Sequence, residues 1–92
     1  MNDDYLSTNI RFVRQLMGLT QAEFAKLLQV PRTTLAHYEY GKNDPHLDFI
    51  ERLIEIVGMP LKDLRRLDFR AEVNTFQLRK VMAKHVAAKA AR

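Results

Sequence analysis

Two short helix-forming segments, residues 21–28 and 32–40, lie about three residues apart, and neither can stand alone. Helices shorter than ~12–15 residues are marginal in water, so these two must pack on each other and on flanking helices. Thr20-Gln21-Ala22-Glu23 opens the first as a capping box. The Thr20 hydroxyl is placed to accept from the Glu23 N–H, while the Glu23 side chain reaches back. Phe24, Ala25 and Leu28 supply its buried side. Pro31 opens the second, where its missing N–H is an orphan in any case, and Gly41 stops it.

Flanking segments have the same helical punctuation. Residues 8–17 carry Ile10, Val13, Arg14 and Met17 on one face, and Gly18 stands where a glycine ends a helix. Asn43-Asp44-Pro45 is a loop. Residues 47–57 offer Leu47, Ile50, Leu53, Ile54 and Val57 to a core, ending at Gly58. Pro60 opens a short fifth helix carrying Leu61 and Leu64. The expected fold class is all-α, a five-helix bundle. After Leu67 the period changes to two, Leu67, Phe69, Ala71 and Val73 alternating with polar residues, which predicts a short strand over 67–73. Residues 75–91 are rich in helix formers and read as a helix whose apolar positions do not share one face. The expected organisation is therefore a domain over 1–67 and a C-terminal extension over 68–92.

Ninety-two residues suffice for one domain, and the absence of cysteine removes disulfides and thiolate chemistry. His37, His46 and His85 show no metal-ligand spacing, and no cofactor or metal is expected. There is no glycine-rich phosphate loop or nucleophile elbow, and Ser7 is the only serine, so no catalytic residue is assigned and an enzyme is the weakest reading. Met1-Asn2-Asp3-Asp4 leads into no apolar run, and no stretch reaches membrane-span length. A soluble cytoplasmic protein without a membrane partner is the expectation. Residues 1–67 hold nine basic and nine acidic side chains, whereas 68–92 hold six basic ones against Asp68 and Glu72, so the whole net charge of +4 lies on the extension.

With the first two-thirds neutral, any role in binding an anionic polymer rests on placement. At ~100° per residue, Leu35 and Tyr38 of the second short helix point one way, and Thr33, Ala36, His37 and Tyr40 point the other, with Arg32 at the leading edge. A solvated face usually carries Glu–Lys pairs. This one carries small, hydrogen-bonding and aromatic groups, and Ala36 permits close backbone approach. Arg32 sits in a first turn, where the helix dipole disfavours a cation by ~0.3–1 kcal/mol. A broken local rule at an exposed position points to function, a merely solvated cation being the plain alternative. Arg32, Thr33, Ala36 and His37 are thus candidates for reading base edges in a DNA major groove. Thr20 and Gln21, at the start of the first short helix, and Tyr40, Lys42 and Asn43, in the turn after the second, are candidates for phosphate contacts, with backbone N–H groups assisting. The three-residue spacing is that of a helix-turn-helix.

Residues 10–64 resemble the phage repressor/Cro-type helix-turn-helix family in gapless register. The matching string runs from Ile10 and Arg14 through Gly18-Leu19-Thr20-Gln21, Glu23-Phe24-Ala25 and Leu28 to Thr33-Thr34-Leu35. It continues through Glu39, Gly41-Lys42, Pro45 and Leu47 to Leu53, Val57-Gly58 and Leu64. The resemblance implies a five-helix bundle that binds operator DNA, commonly as a two-fold dimer. It implies a phosphate-clamping role for Gln21, base reading by Arg32, Thr33 and His37, and a structural salt bridge between Arg14 and Glu39. The chain departs from the family at Gln29, where glycine is usual in the turn, at Pro31, where Ser or Thr normally caps, and at Tyr40, usually polar.

Helices one and four carry more apolar residues than one core face requires. Phe12, Leu16, Phe49, Ile56 and Met59, together with Phe69, Val73 and Phe76 of the extension, are candidates for a dimer or tail interface. The leading expectation is a sequence-specific regulator of transcription, a repressor that binds double-stranded DNA as a homodimer, with half-sites ~10 bp apart in an inverted repeat. The alternative is an antitoxin whose domain binds DNA while its tail holds a toxin, making the extension a protein-binding segment. A scaffold that kept the fold and lost DNA binding is a third reading, opposed by the acid-free outer face. The basic extension itself reads as a source of non-specific DNA affinity, a site for an acidic partner, or a solubilising helix.

Overall fold

Glycines and prolines set the boundaries of five helices in the computed structural model, which describes residues 4–71: α1 (Leu6–Leu16), α2 (Gln21–Leu27), α3 (Arg32–Glu39), α4 (Leu47–Val57) and α5 (Leu61–Arg66). α1 starts two residues before its expected beginning, where the Asp4 carboxylate accepts the Leu6 N–H at 2.9 Å. Thr20 Oγ1 accepts from the Glu23 N–H at 3.1 Å and Glu23 Oε1 from the Thr20 N–H at 2.9 Å, a complete capping box. α2 packs on α3, α3 on α1, and α1 on α5. One core runs through them, with Ile10, Val13, Phe24, Leu28, Leu35, Leu53 and Leu64 fully buried.

α4 sits rotated from its expected orientation by about 60°, at ~100° per residue. Leu47, expected in the core, is 68% exposed, whereas Phe49 and Ile56, expected on the outer flank, are buried at 1% and 5%. The aromatic ring decides this: Phe49 has more surface to remove from water than Leu47 and meets the buried Tyr38 edge to face at 4.7 Å. Leu47 also lies in the first turn, where little of the bundle stands over it.

Beyond α5, residues 67–71 form no strand. Asp68 to Ala71 make a turn closed by the Ala71 N–H to the Asp68 carbonyl at 3.0 Å. The alternation has another cause, for Phe69 is 0% exposed within the chain's own core. Asn9, itself buried, holds it there. Asn9 Nδ2 donates to the carbonyls of Leu64 (2.8 Å) and Leu67 (2.6 Å), and its Oδ1 accepts from the Phe69 N–H at 3.1 Å. The core thus extends two residues past the expected boundary at 67. An ion pair between Asp4 and Arg65 and the Tyr5 N–H to the Arg65 carbonyl (2.8 Å) join the same ends. The expected helix over 75–91, and Val73 and Phe76, lie outside the described residues.

Candidate nucleic-acid interface

α3 presents one face to the core and one to solvent. Leu35 and Tyr38 are buried, while Arg32, Thr33 and His37 are exposed and Ala36 is half-buried between them. Tyr40, just past the helix, is 72% exposed. The only acid on α3, Glu39, is turned inward at 6% exposure. The outer surface of the helix therefore carries no negative charge of its own.

Glu39 anchors a chain of polar side chains that reaches this surface. Arg14 Nε donates to Glu39 Oε2 at 2.7 Å, Arg14 Nη2 to Glu39 Oε1 at 3.3 Å, and Arg14 Nη1 to the Leu19 carbonyl at 3.0 Å. The pair is nearly enclosed, with side-chain exposures of 14% and 2%. Two parallel N–H···O contacts fix both side chains, tying α1 to the end of α3. Gln21 Nε2 also donates to Glu39 Oε1, at 3.0 Å, and Gln21 Oε1 accepts from Arg32 Nη1 at 3.4 Å. Arg32 is thus linked through Gln21 to the buried pair. Side-chain reasoning along the sequence treats Gln21 and Arg32 as independent, because their joining depends on how α2 and α3 cross.

Thr20 and Gln21 lie at the start of α2, and Lys42 and Asn43 are exposed in the loop after α3. The backbone of that loop is not free to assist as expected. The N–H groups of Tyr40, Gly41 and Lys42 donate to the carbonyls of Ala36, Tyr38 and His37, at 3.0, 3.2 and 2.9 Å. This is a Schellman end, which satisfies the last carbonyls of the helix with these donors. Contacts from Tyr40 and Lys42 must therefore come from their side chains.

The connection between α2 and α3 contains two of the three departures from the expected pattern. Gln29 has φ of 61°, in the left-handed region, and Pro31 caps α3 without a side-chain hydrogen bond. The Gln29 N–H donates to the Lys26 carbonyl (3.2 Å) and the Val30 N–H to that of Ala25 (3.0 Å), again a Schellman end. The same end closes α1, where Gly18 holds the left-handed position at φ 70°. Gln29 thus occupies a glycine conformation without being glycine.

Of the residues offered as candidates for a dimer or tail interface, Phe49, Ile56 and Phe69 are buried in the chain's own core, Phe69 being a residue of the extension that packs on its own domain. Phe12, Leu16 and Met59 are half-buried and pack against it. The apolar surplus is smaller than the sequence alone suggests, since the chain covers most of it by itself. The side chain that sequence reasoning missed is Asn9; a lone polar residue next to Ile10 gives no sign that it faces inward. Among the described residues no group of three or more His, Cys, Asp or Glu could hold a metal ion, and no helix is long and apolar enough to cross a membrane.

Comparison with known proteins agrees with this geometry. An uncharacterized HTH-type transcriptional regulator of Methanocaldococcus jannaschii is 32% identical over 59 residues, covering 64% of this chain and 89% of that protein. A transcriptional repressor of the cryptic phage CTXphi, from Vibrio cholerae, is 34% identical over 58 residues, 63% of this chain and 52% of its own length. An uncharacterized HTH-type transcriptional regulator of Archaeoglobus fulgidus is 34% identical over 59 residues, 64% of this chain and 84% of that protein. No solved structure matches significantly. The helix-turn-helix family model matches residues 10–64, the span that runs from α1 to α5, and the chain belongs to the Cro-type helix-turn-helix family.

Proposed function

We propose that this chain is a sequence-specific transcriptional regulator that binds double-stranded DNA, a repressor acting as a homodimer on an inverted-repeat operator. The observation that carries the reading is the division of α3: its sole acid is buried against Arg14 while Arg32, Thr33 and His37 stand clear on the outer side. α3 enters the major groove with its first turn foremost. Arg32 makes a bidentate contact to guanine, Thr33 and His37 meet an acceptor or a thymine methyl, and Ala36 lets the backbone come close. Thr20, Gln21, Tyr40, Lys42 and Asn43 hold the flanking phosphates and so set the register. Such a role places the protein in the compartment that holds the DNA. The names of the relatives support the regulator reading, and one of them is a phage repressor.

Selection of bound sequences from random duplex DNA tests this directly. The expected product is an inverted repeat with half-sites ~10 bp apart, centre to centre. Arg32→Ala is expected to weaken binding by ~1–3 kcal/mol and to relax preference at one base position. Unchanged affinity and base preference in that variant would show that α3 does not read DNA through Arg32.

A further inference from the structure

α4 exposes an acidic ridge that the DNA-binding face does not use. Leu47, Glu51, Glu55 and Asp48 are all exposed and lie within one arc of about 100°, at ~100° per residue, with half-buried Ile54 at its edge. Among the described residues no hydrogen bond or ion pair reaches the side chains of Asp48, Glu51 or Glu55. The helix's own cation, Arg52, turns away, its Nη1 donating to the Leu28 carbonyl at 3.5 Å. The ridge therefore combines three uncompensated carboxylates with a leucine that is 68% exposed.

The same chain supplies a complement of opposite sign. Residues 1–71 are electrically neutral, and 72–92 carry Arg79, Lys80, Lys84, Lys89 and Arg92 against the single acid Glu72. Lys80 and Lys84 repeat the four-residue spacing of Glu51 and Glu55, and the apolar Val81 and Met82 lie between them in sequence. Phe69, held in the core by Asn9, fixes where this segment leaves the domain. Ten residues from Phe69 to Arg79 extend to at most ~33–36 Å, a little over the diameter of a small domain, so reach is no obstacle. A short tether also gives the two charged surfaces an effective concentration of about millimolar.

We infer that the basic segment 72–92 docks on the Leu47–Asp48–Glu51–Glu55 ridge of α4 in the same chain. Docking withholds its cations from non-DNA partners and from DNA alike, so the ridge acts as an internal competitor for the tail. This inference does not depend on which DNA the protein reads, and its test uses no DNA.

The full chain at low ionic strength, treated with a carbodiimide that joins amines directly to carboxylates, is expected to give cross-links within one molecule. These run from Lys80, Lys84 or Lys89 to Asp48, Glu51 or Glu55, and are lost near 1 M salt, where the Debye length is ~3 Å. A second measurement uses the Glu51→Gln, Glu55→Gln double variant, whose changes are on exposed positions. Its amide resonances over 79–89 are expected to shift relative to the parent chain, and the shifts are expected to vanish at high salt. Cross-links confined to other carboxylates, cross-links found only between two copies, or resonances over 79–89 indifferent to the double substitution would each overturn the inference.

Discussion

Replacing Gln29 with glycine is expected to stabilise the domain, although it deletes a whole side chain. Gln29 sits at φ 61° in the Schellman end of α2, and its side chain is exposed. An L-residue with a Cβ in this region costs ~1–2 kcal/mol through contact with the following carbonyl. The equivalent position at the end of α1 is Gly18, at φ 70°, and at the end of α3 it is Gly41, at φ 74°, so the chain already uses glycine twice for the same geometry. Glycine adds freedom to the unfolded chain, which offsets ~0.5–1 kcal/mol of the gain. The net expectation for Gln29→Gly is a gain of about 0.5–1 kcal/mol, equivalent to about 2–8 °C in Tm for a domain this small. Urea unfolding followed by circular dichroism reads the free energy, and a thermal scan reads the midpoint. Gln29→Ala is the control: it removes the same polar group but keeps the Cβ, so it is expected to stay near the parent. Equal stability of the Gly and Ala variants would refute the reasoning, because the strain would then not reside at this residue. A Gly variant less stable than the parent would show that the Gln29 side chain itself holds the turn.

Other substitutions test the supports of the site. Arg14→Ala leaves the Glu39 carboxylate enclosed with Gln21 as its one side-chain partner among the described residues, and is expected to cost ~3–5 kcal/mol by denaturant unfolding. Phe69→Ala opens a cavity in the core and is expected to cost ~3–5 kcal/mol, whereas a residue of a solvated tail would cost almost nothing on the same assay. Lys42→Ala is expected to weaken DNA binding equally for all sequences and to lower the slope of log K against log salt by about 1, measured by fluorescence anisotropy across a salt series.

Truncation bears on the role of the extension and depends on where the chain is cut. Ending it after Leu67 removes Phe69 and leaves Asn9 Oδ1 without its donor, so lost stability is mixed with any lost association. Ending it after Ala71 keeps both, and the oligomeric state by analytical ultracentrifugation then reports on residues 72–92 alone. Phe49, Ile56 and Phe69 are occupied in the chain's own core, so a dimer must use other surface.

Local chemistry determined most of the fold. The Thr20–Glu23 box, the prolines at 31 and 60 and the glycines at 18, 41 and 58 act on residues within one turn of themselves. Their effect needs no knowledge of the rest of the chain, which is why the number and order of the helices were legible in the sequence. The outward direction of Arg32, Thr33 and His37 was legible for the same reason, since helix periodicity alone sets them opposite Leu35 and Tyr38. Tertiary structure decided what depends on neighbours distant along the chain. The apolar arc of α4 is wide enough for two orientations, and the contact of Phe49 with Tyr38 selected one, turning Leu47 to solvent. The alternation after Leu67 suits a strand, but Asn9, sixty residues away from Phe69 in sequence, folded that segment onto the core. Arg32 and Gln21 met only because α2 and α3 cross beside the buried Arg14–Glu39 pair. A side chain's period reports its direction from its own helix axis; what stands in that direction is set by packing.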